Sequence, residues 1–232
     1  MTARVEYLTA LGIEDWQQRR PLAVQAARRE SVASQSAMPQ SPDSAADSWE
    51  VVGAEIAGCM RCGLCKTRTR TVFGVGDRQA QWLVVGEAPG AEEDRQGEPF
   101  VGRAGGLLNS MLRGIGLSRE QVFIANVLKC RPPNNRDPQP AEVEQCLPYL
   151  ERQIALLKPR IMLAVGRIAA QNLLATDTPI GKLRGQVHRF GAAQIPLVVT
   201  YHPAYLLRSP TEKRKAWEDL KFARRVAAGA RA

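Results

Sequence analysis

Four short runs of apolar residues, each followed by a segment with helical character, constrain the fold of this chain most strongly. The runs are QWLVVG at 81–86, QVFIAN at 121–126, RIMLAVG at 160–166 and PLVVTY at 196–201. Because each run is apolar nearly throughout, each is predicted to be a strand buried on both faces. Buried strands that alternate with helices are typical of a parallel sheet covered on both sides. We therefore predict a three-layer α/β/α sandwich with a mainly parallel four-stranded central sheet.

The segments between and after these runs carry the signals of helices. AGGLLNSMLRGIGL at 104–117 has helical periodicity and a terminal Gly, and the segment from Pro140 opens with proline and an acidic first turn. Both features are typical of helix ends. RIAAQNLLA at 167–175 and the amphipathic TEKRKAWEDLKFARRVAAGA at 211–230 complete the set. Strands and helices are thus expected to alternate along the chain.

The first 50 residues differ in composition from the rest. Residues 1–20 place apolar side chains at roughly helical spacing but are too few to enclose a core, so we predict a short amphipathic segment. Such a segment is either a docking peptide for a protein partner or an extension without a role. Residues 21–50 are rich in Ala, Ser and Pro, which is typical of a flexible linker. The folded domain is predicted at residues 51–228.

Composition and the first residues indicate the compartment in which the protein acts. The chain is 44% hydrophobic and 24% charged, as in ordinary globular proteins, and holds no run of 18 apolar residues that could span a membrane. Its first residues lack the apolar core of a signal peptide, so we predict a cytoplasmic protein, and nothing in the sequence indicates an obligate dimer. In that reducing compartment, spaced cysteines indicate a metal site or a catalytic thiol rather than disulfides.

The net charge indicates the kind of partner. The formal charge is +9, and it arises after residue 50, since residues 1–50 carry five Arg against seven Asp and Glu. A basic domain favours a polyanionic partner, most simply nucleic acid. The alternative is that the charge serves solubility alone.

Five cysteines suggest a metal centre. Cys59 and Cys62 form a C-x-x-C pair, and Cys130 and Cys146 lie far downstream. Four thiolates are sufficient for a tetrahedral zinc or for an iron–sulfur cluster, and spacing does not distinguish the two. Spacing also allows Cys65 to replace Cys59, and Cys146 could instead be a small core residue.

Three polar residues follow the predicted strands. Glu87, Asn126 and His202 each lie at or just after the end of one apolar run. In α/β sheets ligands bind at the carboxyl ends of the strands. We therefore expect these residues to meet in one site, whereas His188 has no such context and is predicted to be structural or exposed.

Several stretches in a fixed order carry a resemblance. They are CMRC with KTRT, then GEAPGAEEDRQGEPFVGRAG, NVLKCRPPNNRDP, Cys146 and YHPAYLLR. In this order they resemble the family 4 uracil-DNA glycosylases, the iron–sulfur branch of that superfamily, from residue 59 to about residue 222. The resemblance implies excision of uracil from DNA, an abasic product, and a structural [4Fe–4S] cluster ligated by Cys59, Cys62, Cys130 and Cys146. Cys65 has no counterpart among the family's ligands.

The resemblance also implies roles for the pocket residues. Phe100 would stack on a flipped uracil, Asn126 would recognise its N3–H and O4, and His202 would stabilise negative charge on the departing base. Glu87 would orient the attacking water or stabilise the sugar cation. A structural alternative for Glu87 is that it braces its turn.

Two further pocket residues are implied by the same motif. Ala88 lies where the best-known uracil glycosylases carry an aspartate, so that acid is missing here. Glu93 resembles the family residue near C5 of the base, where it would exclude the methyl group of thymine.

A DNA-binding surface is predicted around the strand ends. Basic side chains that would bind DNA phosphates follow the predicted strands and the C-x-x-C pair. They include Lys66, Arg68, Arg70, Lys129, Arg131, Arg136 and Arg208. Leu206 and Leu207 are candidates for a wedge that fills the gap left by a flipped base, with packing under the last helix as the alternative.

Two other function classes compete with the glycosylase. A metal-stabilised DNA-binding or replisome-associated module would share the charge and the cysteines but would lack catalysis. A phosphate hydrolase using the GEAPG turn is disfavoured because the chain has no G-x-x-x-x-G-K-[ST] loop. The sequence also offers no clear lysine nucleophile, so we predict no strand-nicking lyase step.

Overall fold

The structure is a computed structural model, and it describes residues 48–229. The amphipathic segment predicted at residues 1–20 and most of the predicted linker lie outside the described residues. The first described helix, α1, spans Trp49–Ala57, so it begins two residues before the predicted domain boundary. The Ser48 side chain accepts a hydrogen bond from the Val51 amide at 3.2 Å and thereby caps that helix.

The described residues form six strands. They are β1 (Val75–Gly76), β2 (Trp82–Gly86), β3 (Phe123–Asn126), β4 (Ile161–Val165), β5 (Val187–Phe190) and β6 (Ile195–Thr200).

The same residues form eight α-helices. After α1 these are α2 (Ala91–Gln96), α3 (Arg103–Gly114), α4 (Pro140–Leu157), α5 (Arg167–Leu174), α6 (Ile180–Leu183), α7 (Pro203–Arg208) and α8 (Lys213–Ala227). Short 3₁₀ turns lie at Gly63–Lys66, Arg119–Gln121, Pro133–Asn135 and Pro210–Glu212. None of the helices described is long and apolar enough to cross a membrane.

The strands form one mixed sheet in the order β1-β3-β2-β4-β6-β5. Its inner four strands are parallel and are the four that the sequence predicts. The predicted strand number was wrong, because β1 and β5 add antiparallel edges. Neither edge strand has an apolar run, since β1 has two residues and β5 is only partly buried along its length. Periodicity therefore gives no signal for them.

Alternate strand residues face two separate cores. Leu83 and Val85 of β2 pack in a cluster with residues of α1, α4, α5 and α6. Trp82 and Val84 of the same strand pack in a second cluster with residues of α3, α7 and α8. Because successive side chains of a strand point to opposite faces, the sheet is covered by helices on both sides. The predicted three-layer architecture is confirmed.

The parallel register places the ends of the four inner strands side by side. Gly86 of β2 pairs with Asn126 of β3, and Val165 of β4 pairs with Thr200 of β6. Glu87 follows β2 directly, and His202 follows β6 after one residue. The predicted polar residues consequently lie at one edge of the sheet.

Candidate functional site

A pocket lies at the carboxyl edge of the sheet. It is lined by all six residues predicted for catalysis or base binding, namely Glu87, Ala88, Glu93, Phe100, Asn126 and His202. Arg208, predicted to bind DNA, also lines it, together with residues that sequence analysis did not select, such as Asn135, Asp137 and Tyr205. The NNRDP turn that carries Asn135 and Asp137 was selected for the resemblance and for its cations, not for these two side chains. The pocket thus combines an acid, an amide, an imidazole and an aromatic ring.

Phe100 has an unusual backbone. Its φ is +54°, in the left-handed region that a bulky side chain rarely adopts. Such a conformation costs about 1–3 kcal/mol and persists only where neighbours enforce it. Arg119 Nη1 donates to the Phe100 carbonyl at 3.2 Å, and the ring lies 5.6 Å from that of His202, at an interplanar angle of 30°. The strain therefore coincides with a ring that forms one wall of the pocket.

Glu93 supports the segment that carries Phe100. Its Oε1 accepts hydrogen bonds from the Val101 amide at 3.1 Å and the Gly102 amide at 3.4 Å. A carboxylate bound by backbone N–H groups is fixed in direction. Its proximity to C5 of a bound base stays a prediction.

Asn126 has an unsatisfied acceptor. The residue is 2% exposed, and its Oδ1 has no hydrogen-bond partner among the described residues. A buried polar atom without a partner costs roughly 1–3 kcal/mol. The residue itself lines the pocket beside Phe100. The arrangement is that of a recognition group whose partner is a ligand.

Gly86 allows Asn126 and Phe100 to approach the strand. A Cβ atom at position 86 would lie 2.4 Å from Asn126 Oδ1 and 2.6 Å from Phe100 Cζ. Both distances are below those that real Cβ atoms show. Only glycine therefore leaves the amide and the ring in their present places.

His202 presents a defined tautomer. It caps α7, and its Nδ1 accepts a hydrogen bond from the Ala204 amide at 3.1 Å. Burial, with a smaller contribution from the Arg208 charge, lowers the pKa of His202 to about 4. The ring is therefore neutral at pH 7 and carries its proton on Nε2, since Nδ1 is an acceptor. His202 can act as a hydrogen-bond donor but not as a cation.

Glu87 has a perturbed acidity. Burial raises the pKa of Glu87 to about 7, and the Asp137 charge adds to this while Arg167 opposes it. Arg167 in turn donates to Asp137 Oδ2 at 2.6 Å. Ala88, directly after Glu87, packs against the core and contributes no acid. A carboxyl group of this kind changes its charge near neutral pH, as many catalytic acids and bases do.

All five cysteines line a second cavity. Cys59, Cys62, Cys130 and Cys146, the predicted cluster ligands, line it together with Cys65, and their role as ligands stays a prediction. Arg68 Nη1 donates to Cys130 Sγ, and the Lys129 amide donates to Cys146 Sγ, both at 3.2 Å. Burial raises the pKa of Cys146 to about 11. Within residues 48–229, no three His, Cys, Asp or Glu side chains are close enough to hold a single metal ion.

The predicted DNA-binding cations occupy different environments. Arg68 is directed to the cysteine cavity, and Arg131 donates to Asn135 Oδ1 at 2.8 Å. Arg136 forms a bidentate ion pair with Glu142. Arg208 is exposed beside the pocket. Phosphate contacts by Arg68, Arg131 and Arg208 stay predictions.

Burial decides which predicted roles remain open to Lys129, Leu206 and Leu207. Lys129 is 2% exposed, so it is not the surface cation that we predicted. Leu206 is 1% exposed and packs in the second core, which matches the packing alternative and does not place it for a wedge. Leu207 is partly buried, so the wedge prediction stays with this residue alone. His188 lies outside the pocket, and its Nε2 contacts the Leu183 carbonyl at 2.8 Å.

Comparisons with known proteins agree with this geometry. Residues 73–221 match the family model of the uracil DNA glycosylase superfamily. The chain is 47% identical over 182 residues to a type-4 uracil-DNA glycosylase of Archaeoglobus fulgidus, which covers 75% of the chain and 91% of the relative. It is 43% identical over 188 residues to the type-4 enzyme of Sulfurisphaera tokodaii, covering 78% and 86%. A third type-4 enzyme, from Pyrobaculum aerophilum, is 46% identical over 171 residues, covering 71% and 87%.

Proposed function

We propose, because this chain belongs to the uracil DNA glycosylase superfamily, that it hydrolyses the N-glycosidic bond of uracil in DNA and leaves an abasic site. The observation that carries this proposal is Asn126, which lines a pocket with Phe100 and His202 and whose buried Oδ1 has no hydrogen-bond partner among the described residues. Excision of this kind initiates base excision repair. The target base must leave the DNA stack to enter such a pocket.

Asn126 recognises the base. Uracil presents a donor at N3 and an acceptor at O4, and the Asn126 amide offers an acceptor at Oδ1 and a donor at Nδ2. Cytosine presents the reverse pattern, so it would leave buried polar groups of the pocket unpaired. The empty acceptor position of Oδ1 supports this assignment. Phe100 supplies the stacking face.

His202 stabilises the departing base. When the N-glycosidic bond breaks, negative charge develops on uracil, including O2. The neutral ring donates its Nε2–H to that oxygen, because Nδ1 is held as an acceptor by the Ala204 amide. A fixed donor directed at developing charge favours the transition state over the ground state.

Glu87 acts in its ionised form. A carboxylate at this position either orients the attacking water or stabilises the positive charge of the sugar, and both roles require the deprotonated group. Its pKa of about 7 means that this form grows as the pH rises through neutrality.

The reaction stops at the abasic site. Among the described residues that line the pocket there is no lysine, and Lys129 is buried and hydrogen-bonded in the core. No amine is thus placed to form a Schiff base with the sugar, which supports a monofunctional glycosylase.

Cys59, Cys62, Cys130 and Cys146 hold a [4Fe–4S] cluster in this proposal. The donor set fits, because the thiols line one cavity and two of their sulfur atoms accept hydrogen bonds from N–H groups. Such bonds to cysteine sulfur are a common feature of iron–sulfur sites. The bound cluster would supply structural cross-linking. It would join the segment after α1, the end of β3 and helix α4, and so support the loop that carries Asn135 and Asp137.

DNA contacts complete the proposal. Arg208 at the pocket, with Arg68 and Arg131, would meet phosphates, and Leu207 would fill the space left by the flipped base. The protein is proposed to act as a monomer on single- or double-stranded DNA that contains uracil. Residues 1–20 are proposed to serve as a peptide for a protein partner.

The test uses an oligonucleotide with one labelled uracil. We expect release of free uracil and an alkali-labile site, with no nick before alkali, and no release from a thymine oligonucleotide. The His202→Ala variant should lose about 100-fold in rate, the range found for removal of one preorganised donor. Salt-sensitive DNA binding without uracil release would instead favour a binding module.

A further inference from the structure

Lys129 is a buried cation that the proposed chemistry does not use. It is among the largest fully buried side chains of the described domain, and buried lysines are rare unless their ammonium group is paired. Its Nζ donates to the Asn126 carbonyl oxygen at 2.9 Å and to Gln153 Oε1 at 2.7 Å. The first of these partners belongs to the residue that faces the base pocket.

The Lys129 contact controls the peptide that follows Asn126. Beyond β3, the Val127 amide bonds to the Gly86 carbonyl and the Leu128 amide to the Glu87 carbonyl, so the chain continues beside β2. The Asn126 carbonyl points out of this ladder and accepts from Lys129. The Asn126 side chain extends from the same Cα as this carbonyl group, so a shift of the backbone at Asn126 would carry the side-chain amide with it. The ammonium group therefore restrains the backbone from which the amide extends.

Lys129 also joins three distant segments. Its own amide donates to Cys146 Sγ at 3.2 Å, and its carbonyl accepts from the Val72 amide at 2.8 Å. Gln153 of α4 extends the network, since its Nε2 donates to the Phe73 carbonyl at 2.9 Å. One residue thus contacts a cysteine of the second cavity through its backbone and the base-recognising strand through its side chain.

We propose that Lys129 is a positioning residue, which holds the Asn126 amide in its base-binding direction and connects the cysteine cavity to the base pocket. This inference rests on the proposed function, because it assigns Lys129 to recognition of uracil by Asn126. A purely structural lysine would stabilise the core without any specific effect on the base.

The decisive variants are Lys129→Met and Gln153→Met. Methionine is unbranched and apolar, so Lys129→Met removes the donor to the Asn126 carbonyl while filling similar space. Gln153→Met removes core hydrogen bonds of the same network but leaves the Lys129–Asn126 contact. The double variant also removes the Gln153 oxygen, which Lys129→Met alone would leave buried without its donor, and so it avoids that part of the loss in stability. It therefore keeps the test valid if Lys129→Met is too unstable.

The measurements are uracil release, inhibition by free uracil, and affinity for DNA with an abasic site, each on protein of verified iron content. A 1 Å misplacement of a reacting group costs about 100-fold. We therefore expect Lys129→Met and the double variant to lose about 10- to 100-fold in kcat/KM and to bind free uracil more weakly. The affinity of both Lys129 variants for abasic DNA should be unchanged. Gln153→Met should stay within about threefold of the unaltered protein in all three measurements.

Several results would overturn the inference. Unchanged uracil inhibition in both Lys129 variants, or equal losses in Gln153→Met, would show a general effect on the core. Failure of both Lys129 variants to fold would identify a purely structural residue. If the unaltered protein released no uracil, the proposed function itself would be wrong. If all variants released uracil equally well, only the role of Lys129 would be wrong.

Discussion

Gly86→Ala is the substitution whose effect follows most directly from the structure. The new Cβ would lie 2.4 Å from Asn126 Oδ1, 2.6 Å from Phe100 Cζ and 2.7 Å from Phe100 Cε2. Real Cβ atoms essentially never approach other atoms within 3.0 Å, so the Asn126 oxygen must move by at least about 0.6 Å. The backbone of Gly86 does not have a positive φ, so the substitution acts through contact alone.

The expected magnitude of this change is large for activity and moderate for stability. Overpacking of a well-packed site costs about 1–3 kcal/mol in the free energy of unfolding. If the Asn126 amide moves by close to 1 Å, the rate of uracil release should fall by about 100-fold. Binding of abasic DNA should be unaffected, because it presents no base to Asn126.

Single-turnover uracil release and denaturant unfolding measure the two effects. Gly106→Ala is the matched control, since a Cβ there would have no atom within 4 Å and the residue lies inside helix α3. That variant should keep full activity and gain slightly in stability. The reasoning is refuted if Gly86→Ala retains uracil release within about threefold of the control, because the pocket wall would then yield freely.

Three further predictions concern Glu87 and the cysteines. The rate of uracil release should rise through about pH 7 as Glu87 loses its proton, and Glu87→Gln should remove this rise from the pH–rate profile. Because the folded-state pKa of Glu87 lies above the unfolded value, its ionisation lowers stability as pH increases from about 4.5 to 7, so denaturant unfolding of Glu87→Gln should lack this decline. Cys146→Ser should lose iron and its visible absorbance, whereas Cys65→Ser should keep both, as measured by iron analysis and spectra. Equal iron loss in the two variants would show that Cys65 is a ligand.

Local patterns in the sequence were sufficient for much of the fold and the site. The four inner strands, their parallel arrangement and the convergence of Glu87, Asn126 and His202 follow from apolar runs and from the rule that parallel strands end at the same edge. The ordered motifs identified the family, and the four thiols that the resemblance assigns to one cluster line one cavity together with Cys65. These features depend on residues close in sequence or on regular topology.

Other features depended on packing between distant segments. Lys129 and Leu206 were candidates for a phosphate contact and a wedge, yet both are buried, Lys129 against Gln153 of α4 and Leu206 in the core cluster that includes α3 and α8. The edge strands β1 and β5 form only because neighbouring strands offer unpaired backbone groups. The Oδ1 of Asn126, which has no partner among residues 48–229, and the close approach of Phe100 to the position of a Cβ on Gly86 arise where separate segments meet. The sequence by itself determined which groups reach the sheet edge, whereas burial and direction were decided by the tertiary structure, because each depends on atoms contributed by several distant segments.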